Sequence, residues 1–243
     1  MRLLVSYMVL SAVATVGLAY TAQVPEPVTI PIPLISNAFG GSLPAVQDGQ
    51  MLVYRHMYIA AIDVKRKQPA WVSFTVDRKD WDTDNVLSRN FHTPKELQSY
   101  ALEQSDYESS GFDLGHMYGL QFVSASTHAA EVNEVEVIAA QRPDLNRGVW
   151  LQAENRIKEA SASKPVKVIT GLLWALDMPK LANADEYHEI ASHCWVIMNP
   201  GPSGIEEAYL IPQSCEAVAN VGEFSVSPDK LRAQVSKTWV QAL

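Results

Sequence analysis

The chain is short of cysteine, of positive charge and of apolar runs. Only two of its 243 residues are cysteine, too few for a disulfide-built fold or a four-cysteine zinc site. Nineteen Lys and Arg stand against 27 Asp and Glu, a formal net charge of -8. Taken as one number, that balance argues against a polyphosphate partner, which normally meets a basic surface. One stretch alone, Leu3 to Tyr20, is apolar enough to meet a membrane, which excludes a multi-span protein. A content of 47% hydrophobic and 19% charged residues excludes a disordered chain or a collagen. The length suits one large domain or two small ones.

Residues Met1 to Ala22 read as a signal peptide: Arg2 leads, an apolar stretch follows, and Ala19 or Ala22 offers a small residue for cleavage. An uncleaved N-terminal anchor is the alternative. After cleavage no membrane span is expected, and the protein is expected to be exported, secreted or periplasmic. Gln23 to Gln50 holds five prolines and three glycines and reads as a linker. The folded domain is expected from Met51 to the C-terminus. Cys194 and Cys215 flank the turn sequence Asn199 to Gly204, so either one disulfide or two buried thiols fits.

Leu52 to Ile62 and Ala70 to Val76 are rich in β-branched and aromatic residues and read as a β-hairpin around a charged turn. Val166 to Thr170 reads as a strand ended by Gly171, and Ser192 to Met198 with Glu207 to Ile211 as a second hairpin. Trp150, Ala153, Ile157 and Ala160 recur at helical spacing, predicting a helix over Gly148 to Ala162. Ser227-Pro228 predicts a helix start ahead of Asp229 to Trp239. Hairpins with few helices give an α+β fold on an antiparallel sheet.

Two motif-like patterns carry no chemistry. His188 and His193 are five apart, about 140° around a helix, where a zinc-protease helix needs four. Ser109-Ser110-Gly111 lacks the spacing of a nucleophile elbow. Trp71, Phe74, Trp81 and Phe91 read as core.

The informative stretches are Asp113-Leu114-Gly115-His116 and, thirty residues on, Asn146-Arg147-Gly148-Val149-Trp150 followed by Glu154. They closely resemble the active-site segments of the DNA/RNA non-specific endonuclease family, whose fingerprint is Asp-Arg-Gly-His, then Asn-x-Gly-x-Trp-x-x-x-Glu. Arg55 to Tyr58, Ala70 to Phe74 and Ser88 to Phe91 are similar to further family segments in the same order, and the resemblance spans roughly Met51 to Val235.

The resemblance implies a ββα-metal (His-Me finger) site on the antiparallel core. It implies an endonuclease hydrolysing DNA and RNA and leaving 5′-phosphate ends, with Mg2+ as cofactor and Mn2+ as a substitute. His116 fits a general base, since an imidazole accepts a proton near neutral pH. By resemblance Asn146 is the metal ligand, Glu154 holds a metal-bound water, and Arg89 pairs with phosphate through its planar fork. Asp113, Gly115 and Trp150 are supporting residues.

The chain also departs from the family. Leu114 stands where the fingerprint has arginine, Val137 where an asparagine is usual, and Ala140 replaces a proline. From Glu96 through Gln141 there is no Lys or Arg, whereas Arg142, Arg147, Arg156 and three lysines follow by Lys167. Arg142 and Arg147 are candidates to track a phosphate backbone, or else lie on a solvated helix face. The departures leave two alternatives open: a pseudonuclease that binds without turnover, and a phosphodiesterase with narrower substrates.

Overall fold

The computed structural model of the protein describes residues 42–81, 88–123, 126–182, 184, 188–236 and the backbone of 239–241. The expected signal peptide and the linker up to residue 41 lie outside the described residues. In chain order the elements are β1 (Ser42–Pro44), β2 (Gln50–Tyr54), β3 (Tyr58–Asp63), β4 (Gln68–Val76), α1 (Arg78–Trp81), α2 (Gln104–Tyr107), β5 (Asp113–His116), β6 (Ile138–Gln141), α3 (Leu151–Ser161), β7 (Val166–Leu173), β8 (His193–Asn199), β9 (Glu207–Pro212), α4 (Pro228–Val235) and β10 (Trp239–Gln241). Short 3-10 turns connect several of them, and a π-helical turn, Leu145–Trp150, runs directly into α3.

The centre is a six-stranded antiparallel sheet in the order β2-β3-β4-β7-β8-β9. Its strands alternate between two cores. Val72 and Phe74 of β4, Val168 of β7, and Val196 and Met198 of β8 pack with Ala153 and Ile157 of α3 on one face. Trp71, Ile169, Trp195 and Ile197 pack with Leu231 of α4 on the other. Because both faces are covered, β4 is buried at every position from Gln68 to Phe74, the polar Gln68 and Ser73 included. Two small antiparallel pairs complete the fold, β1 with β10 and β5 with β6. The α+β architecture on an antiparallel sheet is therefore the observed one.

Four element boundaries differ from expectation. The run Leu52 to Ile62 is two strands, because the chain turns at Arg55 to Met57, where the Arg55 amide donates to the Tyr58 carbonyl at 2.9 Å. β7 continues through Gly171, since Trp195 lies across it: a Cβ at Gly171 would stand 2.2 Å from the Trp195 ring. α4 stops at Val235, and Trp239 begins a strand paired with Pro44. β1 falls within the stretch read as linker. Cys194 and Cys215 are both buried free thiols, so no disulfide forms between them.

Candidate active site

β5, β6 and the helix after them form one ββα unit. The two strands pair in antiparallel register, Asp113 opposite Gln141 and His116 opposite Ile138. Gly115 is required by this pairing, because a Cβ there would meet the Gln141 side chain at 2.2 Å. The end of β5 is tied to the central sheet and to the helix. Thr170 Oγ1 donates to the Met117 carbonyl at 2.7 Å, and Trp150 Nε1 donates to the His116 carbonyl at 3.1 Å. Two residues beyond His116, the Tyr118 ring stacks on Phe74 with centroids 3.9 Å apart. Such a pair contributes about 0.5–1.5 kcal/mol beyond its buried area.

His116 is 8% exposed. Its Nε2 lies 3.0 Å from Asn133 Oδ1, while Asn133 Nδ2 donates to the Ser88 carbonyl at 3.1 Å. That second bond orients the amide, so its oxygen accepts from Nε2–H and the lone pair of the imidazole sits on Nδ1. Burial, with the Arg89 charge acting in the same direction, pushes the His116 pKa down to about 4 against the opposing bond to Asn133. The ring is therefore neutral at physiological pH and able to accept a proton.

Asn146 sits in the π-helical turn, at its second residue. Its Nδ2 donates to Asp113 Oδ2 at 2.9 Å, which leaves its amide oxygen as the lone-pair end. Arg147 grips the same carboxylate with two bonds of 2.7 and 2.8 Å. Burial alone would raise the Asp113 pKa; the bonds from Arg147 and Asn146 more than offset this and hold it below the ordinary value. Glu154, one helical turn past Trp150, accepts from Gln121 Nε2 at 3.1 Å. Burial pushes its pKa up to about 8.

One cavity of about 560 Å³ collects these groups: Arg89, His116, Asn146, Arg147 and Glu154 line it together with Asp113 and Gln121. The rest of its wall is apolar, made by Phe91, Phe112, Leu114, Leu120 and Leu151. Phe91, expected in the core, stands on this wall with its ring 5.3 Å from that of His116. A larger cavity of about 690 Å³, by Trp71, Trp174 and Trp195 on the other side of the sheet, contains none of the candidate residues.

Of the nine predicted residues six line the cavity and three, Gly115, Trp150 and Arg142, do not. Arg142 does not line the cavity, and Arg147 reaches it with its guanidinium already paired to Asp113. Trp150 and Gly115 support the backbone rather than line the site. Asn133 is the residue that sequence reasoning missed. Its amide oxygen accepts from His116 Nε2, whereas Val137, the position where the family usually has asparagine, is core. Its signal is weak, a lone Asn among Glu131, Glu134 and Glu136.

A histidine closing the first strand of a hairpin and an asparagine heading the following helix define a ββα-metal fold. Residues 39–238 match the family model described as DNA/RNA non-specific endonuclease, and the chain belongs to that family. It is 25% identical over 198 residues to the nuclease of Serratia marcescens, covering 74% of this chain and 71% of that protein. The fold is also similar to a chain in the crystal structure of the EndoG/EndoGI complex, with a TM-score of 0.71 at 17% identity, over 85% of this chain and 91% of that one. Among the described residues no helix is long and apolar enough to cross a membrane.

Proposed function

We propose that the protein is an exported endonuclease that hydrolyses phosphodiester bonds of DNA and RNA with Mg2+, leaving 5′-phosphate ends. The carrying observation is the single cavity that brings Arg89, His116, Asn146 and Glu154 together. Residues 1–22 serve as the export signal, and the catalytic domain follows the linker.

The donor set fits a hard divalent cation. An amide oxygen on Asn146 and a carboxylate on Glu154 are oxygen donors, and Mg2+ takes few protein ligands and keeps several waters. Asn146 would hold the ion and Glu154 a water on it; when bound, the ion supplies positive charge to a phosphate oxygen and to the leaving oxygen. His116 Nδ1 removes the proton from the attacking water while Asn133 holds Nε2–H. Arg89 pairs with the phosphate oxygens through its fork. Asp113 keeps Asn146 turned with its oxygen free.

Plasmid nicking with Mg2+ or Mn2+, from about pH 6 to about pH 9, tests the reading. Cleavage that stops with EDTA and with His116→Ala is the expected result; no cleavage under any of these conditions overturns it. A narrower phosphodiesterase is the second reading, favoured by the apolar wall that Leu114 helps to form where the family carries arginine. A Leu114→Arg variant that gains strongly on long DNA supports that second reading.

A further inference from the structure

A second group of metal-ligating side chains lies outside the cavity. His56 stands in the turn between β2 and β3, and His128 and Glu131 stand one turn apart just after residue 126. The two imidazoles are stacked, with centroids 3.9 Å apart and planes 9° from parallel. Glu131 Oε1 is 2.7 Å from His56 Nδ1 and 3.6 Å from His128 Nδ1. One ligand atom from each of the three residues lies within 4.8 Å of the others. Glu131 is also oriented from behind, because its Oε2 accepts from the Met57 amide at 2.9 Å.

These distances suit one ion. Bonds of about 2.1 Å to imidazole and carboxylate separate ligand atoms by roughly 3.4 Å at tetrahedral angles. The His128–Glu131 gap is already of that size. Stacked rings aim their lone pairs in parallel, so the His56 side chain, 55% exposed, must swing its ring out of the stack to open the His56–Glu131 gap and turn its nitrogen toward the same ion. Two imidazoles and one carboxylate are also a selective donor set. They suit Zn2+ and its neighbours among the transition ions, whereas Mg2+ prefers six oxygens.

We propose that His56, His128 and Glu131 form a cation site for Zn2+ or a similar transition ion, separate from the catalytic cavity, with water completing the coordination. The ion clamps the β2–β3 turn to the segment that ends in Asn133, two residues beyond Glu131. It therefore stiffens the support of the catalytic histidine without touching the cavity. Two stacked imidazoles sharing one carboxylate are otherwise a surface hydrogen-bonded cluster, and titration separates the two states.

The test is calorimetric titration of the metal-stripped full-length protein with Zn2+ in a large excess of Mg2+. The expected result is one Zn2+ per chain, bound at least about 10-fold more weakly after His56→Ala or His128→Ala. The melting temperature rises with Zn2+ in the parent protein and not in the double variant. Unchanged affinity and stoichiometry in the double variant overturn the proposal. Should a variant melt lower even without metal, the ring nitrogens of the parent protein decide by NMR. Shifts at His56 and His128 with one equivalent of Zn2+ uphold the site, and shifts confined to other histidines refute it.

Discussion

Around Arg55 the chain buries carboxylates and pairs them; in the cavity it buries His116 and half-buries Glu154, and leaves both near Arg89 but without an ion pair among the described residues. Arg55 meets Glu136 at 2.9 Å and Glu96 at 3.3 Å, and its Nε donates to Glu134. Tyr58 Oη adds a bond to Glu134 at 3.0 Å. Burial and the neighbouring Glu134 carboxylate push the Glu136 pKa well up. Burial also works against the Glu134 charge, but bonds from Glu136, Arg55 and Tyr58 hold its pKa below the ordinary value. In the cavity, the side chain of His116 is bonded to a neutral amide and that of Glu154 to another among the described residues. Ions paired in this way brace a structure; ionisable groups left without a partner charge shift toward neutrality and become reactive.

The acidic balance of the sequence looks different in this light. Glu131, Glu134 and Glu136 belong to the run without Lys or Arg, yet they face Arg55, His56 and Tyr58 rather than the cavity. Asp113 and Glu154 are the acids on the cavity wall, one neutralised by Arg147 and one raised toward protonation. A net charge of -8 is thus compatible with a site that admits phosphate.

The largest effect is expected from breaking the paired region. Arg55→Ala strands Glu134 and Glu136 in the interior. Removing one partner of a buried ion pair costs about 3–5 kcal/mol. Denaturant unfolding should show the midpoint falling accordingly; a loss under about 1 kcal/mol would mean that the cluster is solvated like a surface pair.

Asn133→Ala comes next, acting on the link between the two regions. The His116 ring loses the acceptor that fixes its tautomer, and outer partners of this kind are worth roughly 10–100-fold. Cleavage should fall by that factor while KM changes little. Asn133→Asp restores an acceptor and adds a negative charge, which favours the imidazolium and moves the acid limb of the pH profile upward. A variant that merely disturbs packing would not move that limb.

Glu154→Gln should separate the regions by sign. Glu154 has its folded pKa raised from 4.5 to about 8, so the folded protein keeps a proton that the unfolded chain releases. Stability measured in EDTA therefore falls as pH rises from about 4.5 to about 8, and the loss is complete above that. The glutamine variant has no such loss and should be more stable than the parent at pH 8 and above, while cleaving more slowly. Arg55→Ala destabilises; Glu154→Gln stabilises. Equal melting temperatures at high pH would show that Glu154 ionises freely.

How far these regions could be read from sequence follows from the range of their contacts. His116, Asn146 and Glu154 belong to one ββα unit whose register is local, and the fingerprint spacing carries it. Asn133 reaches His116 through irregular 3-10 turns, where no periodicity marks which side chain points inward. The π-helical turn is equally hidden: helical spacing puts Asn146 and Glu154 about 12 Å apart along an axis, and only the wider turn alters where Asn146 is aimed. Arg55 reads as a charge interrupting an apolar strand, because its partners lie about eighty positions away in the chain. The sheet was legible as hairpins, since Ser192 to Met198 and Glu207 to Ile211 pair nearly as expected. The break at Arg55 was not, because Arg55 to Met57 holds no glycine or proline to mark a turn and the partners of the Arg55 side chain are distant in sequence.

The finest test concerns His116 alone. Its folded pKa is lowered from 6.5 to about 4, chiefly by burial. A general base must be unprotonated, so cleavage at subsaturating substrate should hold down to about pH 5 and be lost as pH falls through about 4. Stability carries the same signature with its own window. Below about 6.5 the unfolded chain binds a proton that the folded one does not, so stability declines as pH drops from about 6.5 to about 4, by up to about 1.4 kcal/mol per unit, and this contribution then levels off. His116→Gln removes the titrating group, and its stability curve should be flatter over that interval. Glu154 opposes the decline over part of the same range, so the Glu154→Gln background exposes the histidine contribution most clearly. An acid limb near 6.5, in either measurement, would show that the ring is solvated and that the cavity does not hold it neutral.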